Sequence, residues 1–484
     1  MDQNDIPVPL SRRGSNSVQV RRYNERVVLE SLQRLGQASK AELARSANLT
    51  PQAVAAIVDH LTEVGLVRLQ GKRTGQIGQP SILYAPAPEG AFSIGLHAGR
   101  RAFEAVLVDF TGEILATETS EYEYPEPLAV AALATKAVRK LQAALTPAQR
   151  ERIVGAGVAV PYFIGGWASE LGIPASITAA WERYDLPAAL SHEIALPLFF
   201  ENDASSAATA ELVHGHGRDT RDFIYLFIST FIGGGVIIGG NLETGPHGNT
   251  GAFGPYPVGP SLLSTVPPPR GPFEILLRRA SIYVLTNHLR VNDVPIRRAL
   301  ELEGLGDRAE PFLTEWIEDC ADALAQAIVG TVAVIDVDAI VVDGILPPAI
   351  LKRTVQAVSD RFAAIVPEGL FAPRIVAGTI GPRAAAVGAA ILPLYAMFAR
   401  QRRSWSRRTR RAARPGASIC RRTSGIDSLG AARLDSDRGH IDPQWFIIDP
   451  LALISLVREG CDGDWRQWIA CRRRAGRAIR SRIN

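Results

Sequence analysis

From Asn24 to Leu35 the apolar residues Val28, Leu29, Leu32 and Leu35 recur at helical spacing and Gly36 ends the run, which predicts a first helix. Ser39-Lys40-Ala41-Glu42 has the order of a capping box, in which hydroxyl and carboxylate satisfy free amides at the start of a short second helix reaching about Ala47. Asn48-Leu49 makes the turn. Thr50 suits an N-cap, and Pro51 suits the first helical position, where an amide hydrogen has no partner. In the third helix Val54, Ile57, Val58 and Leu61 form one buried stripe, leaving Gln52, Ala53, Ala56 and His60 nearer the outer face. Gly65 to Leu69, the polar stretch GKRTGQIGQP and Ser81 to Tyr84 read as a two-stranded hairpin with a basic tip. Three helices and a hairpin make a winged helix-turn-helix over residues 21–86, preceded by a disordered basic arm, residues 1–20.

Beyond Pro86 and Pro88 the period changes. Phe92 to Leu96, Ala105 to Asp109 and Gly112 to Ala116 predict three strands, followed by a helix from about Leu128 to Leu145 and a strand from Ile153 to Val160. The pattern returns at Phe223 to Ile228, which the glycine run Gly233-Gly234-Gly235 and Val236 to Gly240 complete as a hairpin. A long helix, the strand Ala339 to Val342 and a final helix from Ala384 to Ala399 follow. Such alternation builds an α/β body of two sheets with helices packed against them.

Composition agrees with a globular chain: 46% of the 484 residues are hydrophobic and 21% charged, enough length for two or three domains. The longest apolar stretch, Ala384 to Ala399, is interrupted by Pro393 and falls short of a bilayer span. No secretory signal is evident at the N-terminus, so a cytoplasmic location is expected. Four cysteines without a CxxC pair exclude a disulfide framework and argue against a cysteine zinc site. Net charge is divided: +4 over residues 1–80, +11 over residues 401–484, and −11 between them. The Arg-rich tail, residues 400–484, has no sustained apolar period and is expected to be disordered; an unselected extension and a nucleic-acid contact are competing accounts of it.

In a winged helix the third helix enters the major groove, while wing and flanking cations touch phosphate. Thr50 and Gln52 are therefore the base-edge candidates, and Arg21, Arg22, Lys72 and Arg73 the phosphate candidates. The same periodicity also suits a helical protein–protein module.

Between about residues 20 and 399 the sequence resembles the ROK family of repressors and sugar kinases, which has an actin-like, ribonuclease H-like fold. Five segments carry the resemblance: IGLHAGRRAFEAVLVDFTGEIL, GVAVPYFIGG, ENDASSAATAE, STFIGGGVIIGGNLETGPHGNTGAFG and VVDGILPP. They stand in the places of the first phosphate hairpin, the sugar-domain strand, the catalytic-aspartate motif, the second phosphate hairpin with its sugar loop, and the adenosine-side turn. The resemblance implies a two-lobed body over residues 87–399, and the winged helix places the chain with the family's regulators.

Departures from the kinase pattern carry the functional reading. Where family kinases have an Asp followed by Gly-Gly-Thr, this chain has His97, Gly99, Arg100 and Arg101, so two long side chains stand where backbone should cradle phosphate. The sugar loop, roughly Gly-Glu-x-Gly-His in the family, is Gly251-Ala252-Phe253-Gly254-Pro255 and lacks both polar sugar contacts. The zinc loop is replaced by PYPVGPSLLSTVPPPRGP, without Cys or His, and no metal or cofactor is expected. Asn202 and Asp203 match the sugar-contacting Asn and the catalytic base; Glu274 matches a sugar-contacting Glu. Asn202 and Asp203 are equally suited to capping the helix that follows them. His214 and His216 lack a carboxylate partner at ligand spacing and are expected in a surface loop.

These readings together predict a DNA-binding repressor of carbohydrate genes, not an enzyme, whose kinase-like body binds a small sugar or sugar-phosphate effector through Asn202, Asp203 and Glu274. The resemblance also implies a homodimer or homotetramer on a double-stranded operator, with no membrane association. An active sugar kinase with an appended DNA-binding module, and a regulator answering to a protein partner, are the alternatives.

Overall fold

Three helices open the described chain, the second and third of them set by local capping signals. In the computed structural model, which describes residues 17–399 apart from 74–80, 163, 165–169, 171, 270, 295, 297–298 and 305, they are α1 (Ser17–Leu35), α2 (Lys40–Ala47) and α3 (Pro51–Glu63). The Ser39 amide donates to the Glu42 carboxylate at 2.8 Å and the Glu42 amide donates to Ser39 Oγ at 3.3 Å. Hydrogen bonding to Ser39, then to Arg73, holds the Glu42 carboxyl well below its usual range, at about 2. Asn48 takes the left-handed conformation, and Thr50 Oγ1 accepts from the Ala53 amide at 3.3 Å. Val54, Ile57, Val58 and Leu61 are buried, while Gln52 and Ala56 are exposed. His60 is less free than its sequence position implies, lying half-buried 4.0 Å from Glu25 of α1.

The wing is the antiparallel pair β1 (Val67–Arg73) and β2 (Ser81–Pro86). Lys72 and Arg73 lie in β1, opposite Ile82 and Ser81, rather than in the polar tip; residues 74–80 lie outside the described residues. Pairing with β2 overrides the weak strand propensity of this stretch, and an irregularity between Leu69 and Gly71 absorbs one residue, with Gly71 at φ 142°. Helix α1 begins at Ser17, so Arg21 and Arg22 are helical and the arm cannot extend to residue 20. Residues 1–16 and the tail beyond residue 399 lie outside the described residues.

Continuing along the chain, the body comprises β3 (Phe92–Ala98), β4 (Ala102–Asp109), β5 (Ile114–Glu121), α4 (Pro127–Ala143), α5 (Pro147–Arg150), β6 (Ile153–Val160), α6 (Ala175–Arg183), α7 (Leu186–Glu193), β7 (Leu198–Asn202) and α8 (Asp203–His214). It continues with β8 (Phe223–Ile228), β9 (Ile232–Ile238), β10 (Asn241–Glu243), β11 (Pro257–Val258), β12 (Glu274–Ile275), α9 (Ile282–Val291), α10 (Glu310–Val332), β13 (Ala339–Gly344), α11 (Pro348–Ile365), β14 (Arg374–Ala377) and α12 (Ala384–Phe398). Two five-stranded sheets, ordered β5-β4-β3-β6-β7 and β10-β9-β8-β13-β14, repeat one topology. In each, an antiparallel meander of three strands continues in parallel from its first strand. This repetition gives the two lobes.

Helix α12 fills the space beside the first sheet and α8. A side chain at Gly157 would strike the Ala389 carbonyl, and one at Gly388 would strike that of Ser206, so both positions require glycine for this close approach. Among the described residues Gly381–Phe398 is long and apolar enough to cross a membrane, but 67% of it is buried in the fold, as befits a core helix. The glycines Gly233 to Gly235 lie within β9, the second strand of the expected hairpin. Gly233 leaves room for Ala204 at the start of α8, and the turn itself is Ser229 to Phe231, closed by Ser229 Oγ donating to the Phe231 carbonyl at 2.7 Å.

Candidate functional site

The tips of the two hairpins, β3–β4 and β8–β9, converge with the N-terminus of α8 around a cavity of about 300 Å³. Its chemistry comes from His97 and Arg100 on the first hairpin, Asn202 and Asp203 at α8, Phe231 on the second hairpin, and Ala252 on the loop after β10.

Asn202 Oδ1 accepts from the amides of Ala204 and Ser205 at 3.1 and 3.2 Å, and Asp203 Oδ1 accepts from Ala204 at 2.9 Å. Both residues therefore cap α8 and face the cavity; the capping reading and the ligand reading describe two sides of the same side chains. Asp203 Oδ2 stands 4.0 Å from His97 Nε2, and His97 Nδ1 lies 3.4 Å from Glu104 Oε2. Burial disfavours the imidazolium, but Glu104 and Asp203 outweigh it and hold the His97 pKa above its ordinary value.

Arg100 reaches across between the hairpins. Its guanidinium lies 5.1 Å from the centroid of the Phe231 ring and donates to the Ile164 carbonyl at 3.0 Å; burial lowers its pKa, against the opposing charge of Asp203. Arg101 turns away, donating to the Glu123 carbonyl and covering the Tyr124 ring, and does not line the cavity. Glu274 does not line it either. Its carboxylate is buried behind the wall, accepting from the Ile275 amide at 2.9 Å and facing Arg278 at 3.9 Å, which in turn pairs with Glu170 at 2.7 Å.

On the winged helix, Thr50 and Gln52 stand together at the exposed start of α3. Lys72 is exposed on the wing, and its neighbour Arg73 pairs with Glu42 at 2.7 Å. Arg21 pairs with Glu25 along α1 at 3.1 Å, and Arg22 is half-buried on the same helix.

A family profile described as the ROK family matches residues 93–395, more than half of the chain. The chain belongs to the ROK family. The protein y4fQ of Sinorhizobium fredii is 29% identical over 376 residues, 78% of this chain and 91% of that one. The xylose repressor of Bacillus spizizenii is 26% identical over 49% of this chain, an alignment spanning 60% of that repressor. The DNA-binding transcriptional repressor Mlc of Escherichia coli is 25% identical over 46% of this chain and 55% of its own length. A crystal structure of a ROK family transcriptional regulator, a homologue of the E. coli protein, superposes with a TM-score of 0.55 at 17% identity, covering 78% of this chain and 97% of that one. That likeness establishes the two-lobed, actin-like fold.

Within this ROK body the loop standing where other members bind zinc is braced by protein groups. Gly259 donates to Gln326 at 2.8 Å, Ser261 Oγ and the Leu262 amide donate to Asp319 at 2.9 and 2.6 Å, and Thr265 Oγ1 meets His288 Nδ1 at 2.7 Å. Arg279, fully buried, donates twice to Asp319 Oδ1, at 3.0 and 2.7 Å, and once to Asp322 at 3.0 Å. Among the described residues no group of three or more His, Cys, Asp or Glu is placed to hold a metal ion.

Sequence reasoning missed Glu104 and Phe231. Glu104 follows from the β3–β4 register, which sets it directly opposite His97, and a large apolar residue in a tight turn was the available signal for Phe231. The His214–His216 stretch is not a surface loop. His214 is the last residue of α8, half-buried against Gly112, and His216 Nε2 meets the Ala377 carbonyl at 3.0 Å.

Burial and the nearby Arg218 push the His214 pKa down from 6.5 to about 4. The unfolded chain therefore binds the extra proton first. Stability is full above about pH 6.5 and should fall as pH drops toward 4, by about 2–3 kcal/mol from this group. Urea midpoints at pH 7.5, 6 and 5 check this: His214→Gln should flatten the decline, and parallel declines in both proteins would refute it.

Proposed function

We propose that this chain is a DNA-binding transcriptional regulator, a repressor of carbohydrate uptake or catabolic genes, whose two-lobed body is an effector sensor. The observation that carries the reading is the presentation of α3: capped by Thr50, buried along one stripe, and exposing Gln52 and Ala56 beside the wing strand that bears Lys72. A helix held this way meets a major groove with its N-terminal side chains. The names carried by the Bacillus and Escherichia relatives support the same reading.

In this proposal the cavity binds a small sugar or sugar phosphate through Asn202 and Asp203, and the protein acts in the cytoplasm as a homodimer or homotetramer on a pseudo-palindromic site. Glu274, whose carboxylate does not line the cavity, is left out of the ligand contacts. Phosphoryl transfer is not part of the function: Arg100 and Phe231 occupy the approach between the hairpin tips, and Ala252 and Pro255 supply no hydrogen-bonding side chains to a sugar.

The test is protection of DNA upstream of its own and neighbouring genes by the full chain, with and without sugars, alongside a phosphoryl-transfer assay with ATP, magnesium and the same sugars. Sequence-specific protection relieved by one sugar, with no turnover, is expected. Sugar-dependent ATP turnover that Asp203→Asn abolishes would instead establish the kinase, the reading that Asp203's place in the cavity favours second.

A further inference from the structure

The β3–β4 register aligns His97 with Glu104, and the start of α8 brings Asp203 to the other side of the imidazole. His97 lines the cavity, and its Nε2 is buried and has no hydrogen-bond partner among the described residues. It is 4.0 Å from Asp203 Oδ2, too far for a direct hydrogen bond. A separation of 4.0 Å is nonetheless one that a single oxygen atom, off the line joining the two, spans at about 2.8 Å from each.

We propose that His97 and Asp203 together read one hydroxyl group of a polyhydroxylated ligand, His97 Nε2–H donating to the hydroxyl oxygen and Asp203 Oδ2 accepting its proton, with Glu104 holding the ring by Nδ1. The inference rests on the reading that the cavity takes a sugar, and assigns to His97 the part that decides which sugar.

The chemistry of the pair is specific to a hydroxyl. An alcohol both accepts and donates, so it satisfies the imidazolium and the carboxylate at once. A ligand without that hydroxyl leaves a buried donor and a buried acceptor unpaired, and is rejected for that reason. With Nδ1 donating to Glu104, the ring is a donor at Nε2 only when protonated. The groups facing it are Glu104 from β4 and Asp203 from α8, both of which favour that state; Arg100 on the adjoining turn also feels the charge of Asp203. Tyr122, just beyond β5, donates to the carbonyls of Gly99 and Ala102, at 2.6 and 3.0 Å, and fixes the hairpin tip next to His97.

The experiment is calorimetric titration of the full chain with D-glucose, D-xylose and D-glucose 6-phosphate, then with monodeoxy analogues of the sugar that binds. One deoxy position should cost wild type about 100-fold in affinity. His97→Leu should lose affinity for the parent sugar and should distinguish that analogue much less, keeping only the part that Asp203 supplies. His97→Gln, whose amide can donate from near the position of Nε2, should recover part of the affinity. Wild-type affinity should fall as pH rises through the elevated pKa of His97, and His97→Gln should remove that dependence. Far-ultraviolet spectra and melting temperatures identify a variant that has not folded, and His97→Gln then decides alone. Sugar binding by wild type with the deoxy penalty intact in His97→Leu, or with the pH dependence intact in His97→Gln, overturns the proposal and leaves the sensor reading standing. No heat from any of the three sugars overturns both.

Discussion

Replacing Asp319 by Ala should lower the stability of the folded chain by about 3–5 kcal/mol, because Arg279 would remain fully buried with its principal counter-ion removed. The guanidinium would keep only Asp322 and the carbonyls of Gly259 and residue 319 as acceptors. Asp322 is itself shared with Arg361 at 2.6 Å and with Gln326. Burial works against the charge on Asp322, but Arg361 and Arg279 outweigh it and hold its carboxyl below the ordinary value. The loss should also free the loop at Ser261 and Leu262, whose donors end on the same carboxylate. Replacing Arg279 and Asp319 together by Met and Leu should cost much less, since an apolar pair leaves no uncompensated charge. Denaturant midpoints of the single and double variants check the argument, and a loss below 1 kcal/mol in Asp319→Ala would contradict it. The consequence for function is indirect but specific: the braced loop runs between the cavity residues Gly254 and Pro255 and the wall residue Leu277, so the ion cluster positions one side of the site.

Features governed by neighbours in sequence were legible before the fold was known. Ser39 with Glu42, Asn48, and Thr50 with Pro51 act within four residues, and the strands Ile153–Val160 and Phe223–Ile228 are apolar runs with no competing pattern. The features that were misplaced depend on what packs against the segment. Lys72 and Arg73 read as a tip because glycine and charge surround them, but partners on β2 draw them into the sheet. Gly233 to Gly235 read as part of a hairpin without a stated place in it; within the strand they admit Ala204 and Ala208 of α8 and the Tyr225 carbonyl. The candidate site was half legible. Asn202, Asp203, His97 and Arg100 came from motif order and do meet in the cavity. Glu274 carried the right chemistry at the right distance along the chain, yet its own strand amide and Arg278 engage the carboxylate behind the wall. Arg101 and Arg100 were indistinguishable as sequence, and only the turn geometry sends one into the cavity and the other to Tyr124. Arg279 and Asp319 are 40 residues apart, a pairing that no local pattern encodes.

Deleting residues 1–86 should abolish sequence-specific DNA binding, and two point changes should divide what remains into its base-reading and charge components. Gln52 sits on the exposed face two residues after the Thr50 cap, and Ala56 lies one turn further along the same face. Asp59, whose negative charge would repel a phosphate, is paired with Lys40 at 2.5 Å. Gln52→Ala should cost about 1–3 kcal/mol on the best operator and relax the preference at one base pair, leaving nonspecific binding unchanged. Lys72→Ala should weaken binding to all sequences alike and reduce the salt slope by about 1, the signature of one lost phosphate contact. Arg73→Ala should act less through charge than Lys72→Ala, because its guanidinium is committed to Glu42 and so joins the wing to α2. Its effect should appear chiefly as a loosened wing, with a smaller change in salt slope. The measurement is operator and nonspecific affinity at several salt concentrations for wild type and each variant. Equal loss on specific and nonspecific DNA in Gln52→Ala would remove α3 from base reading, and specific operator binding by a chain starting at residue 87 would remove the winged helix from recognition altogether.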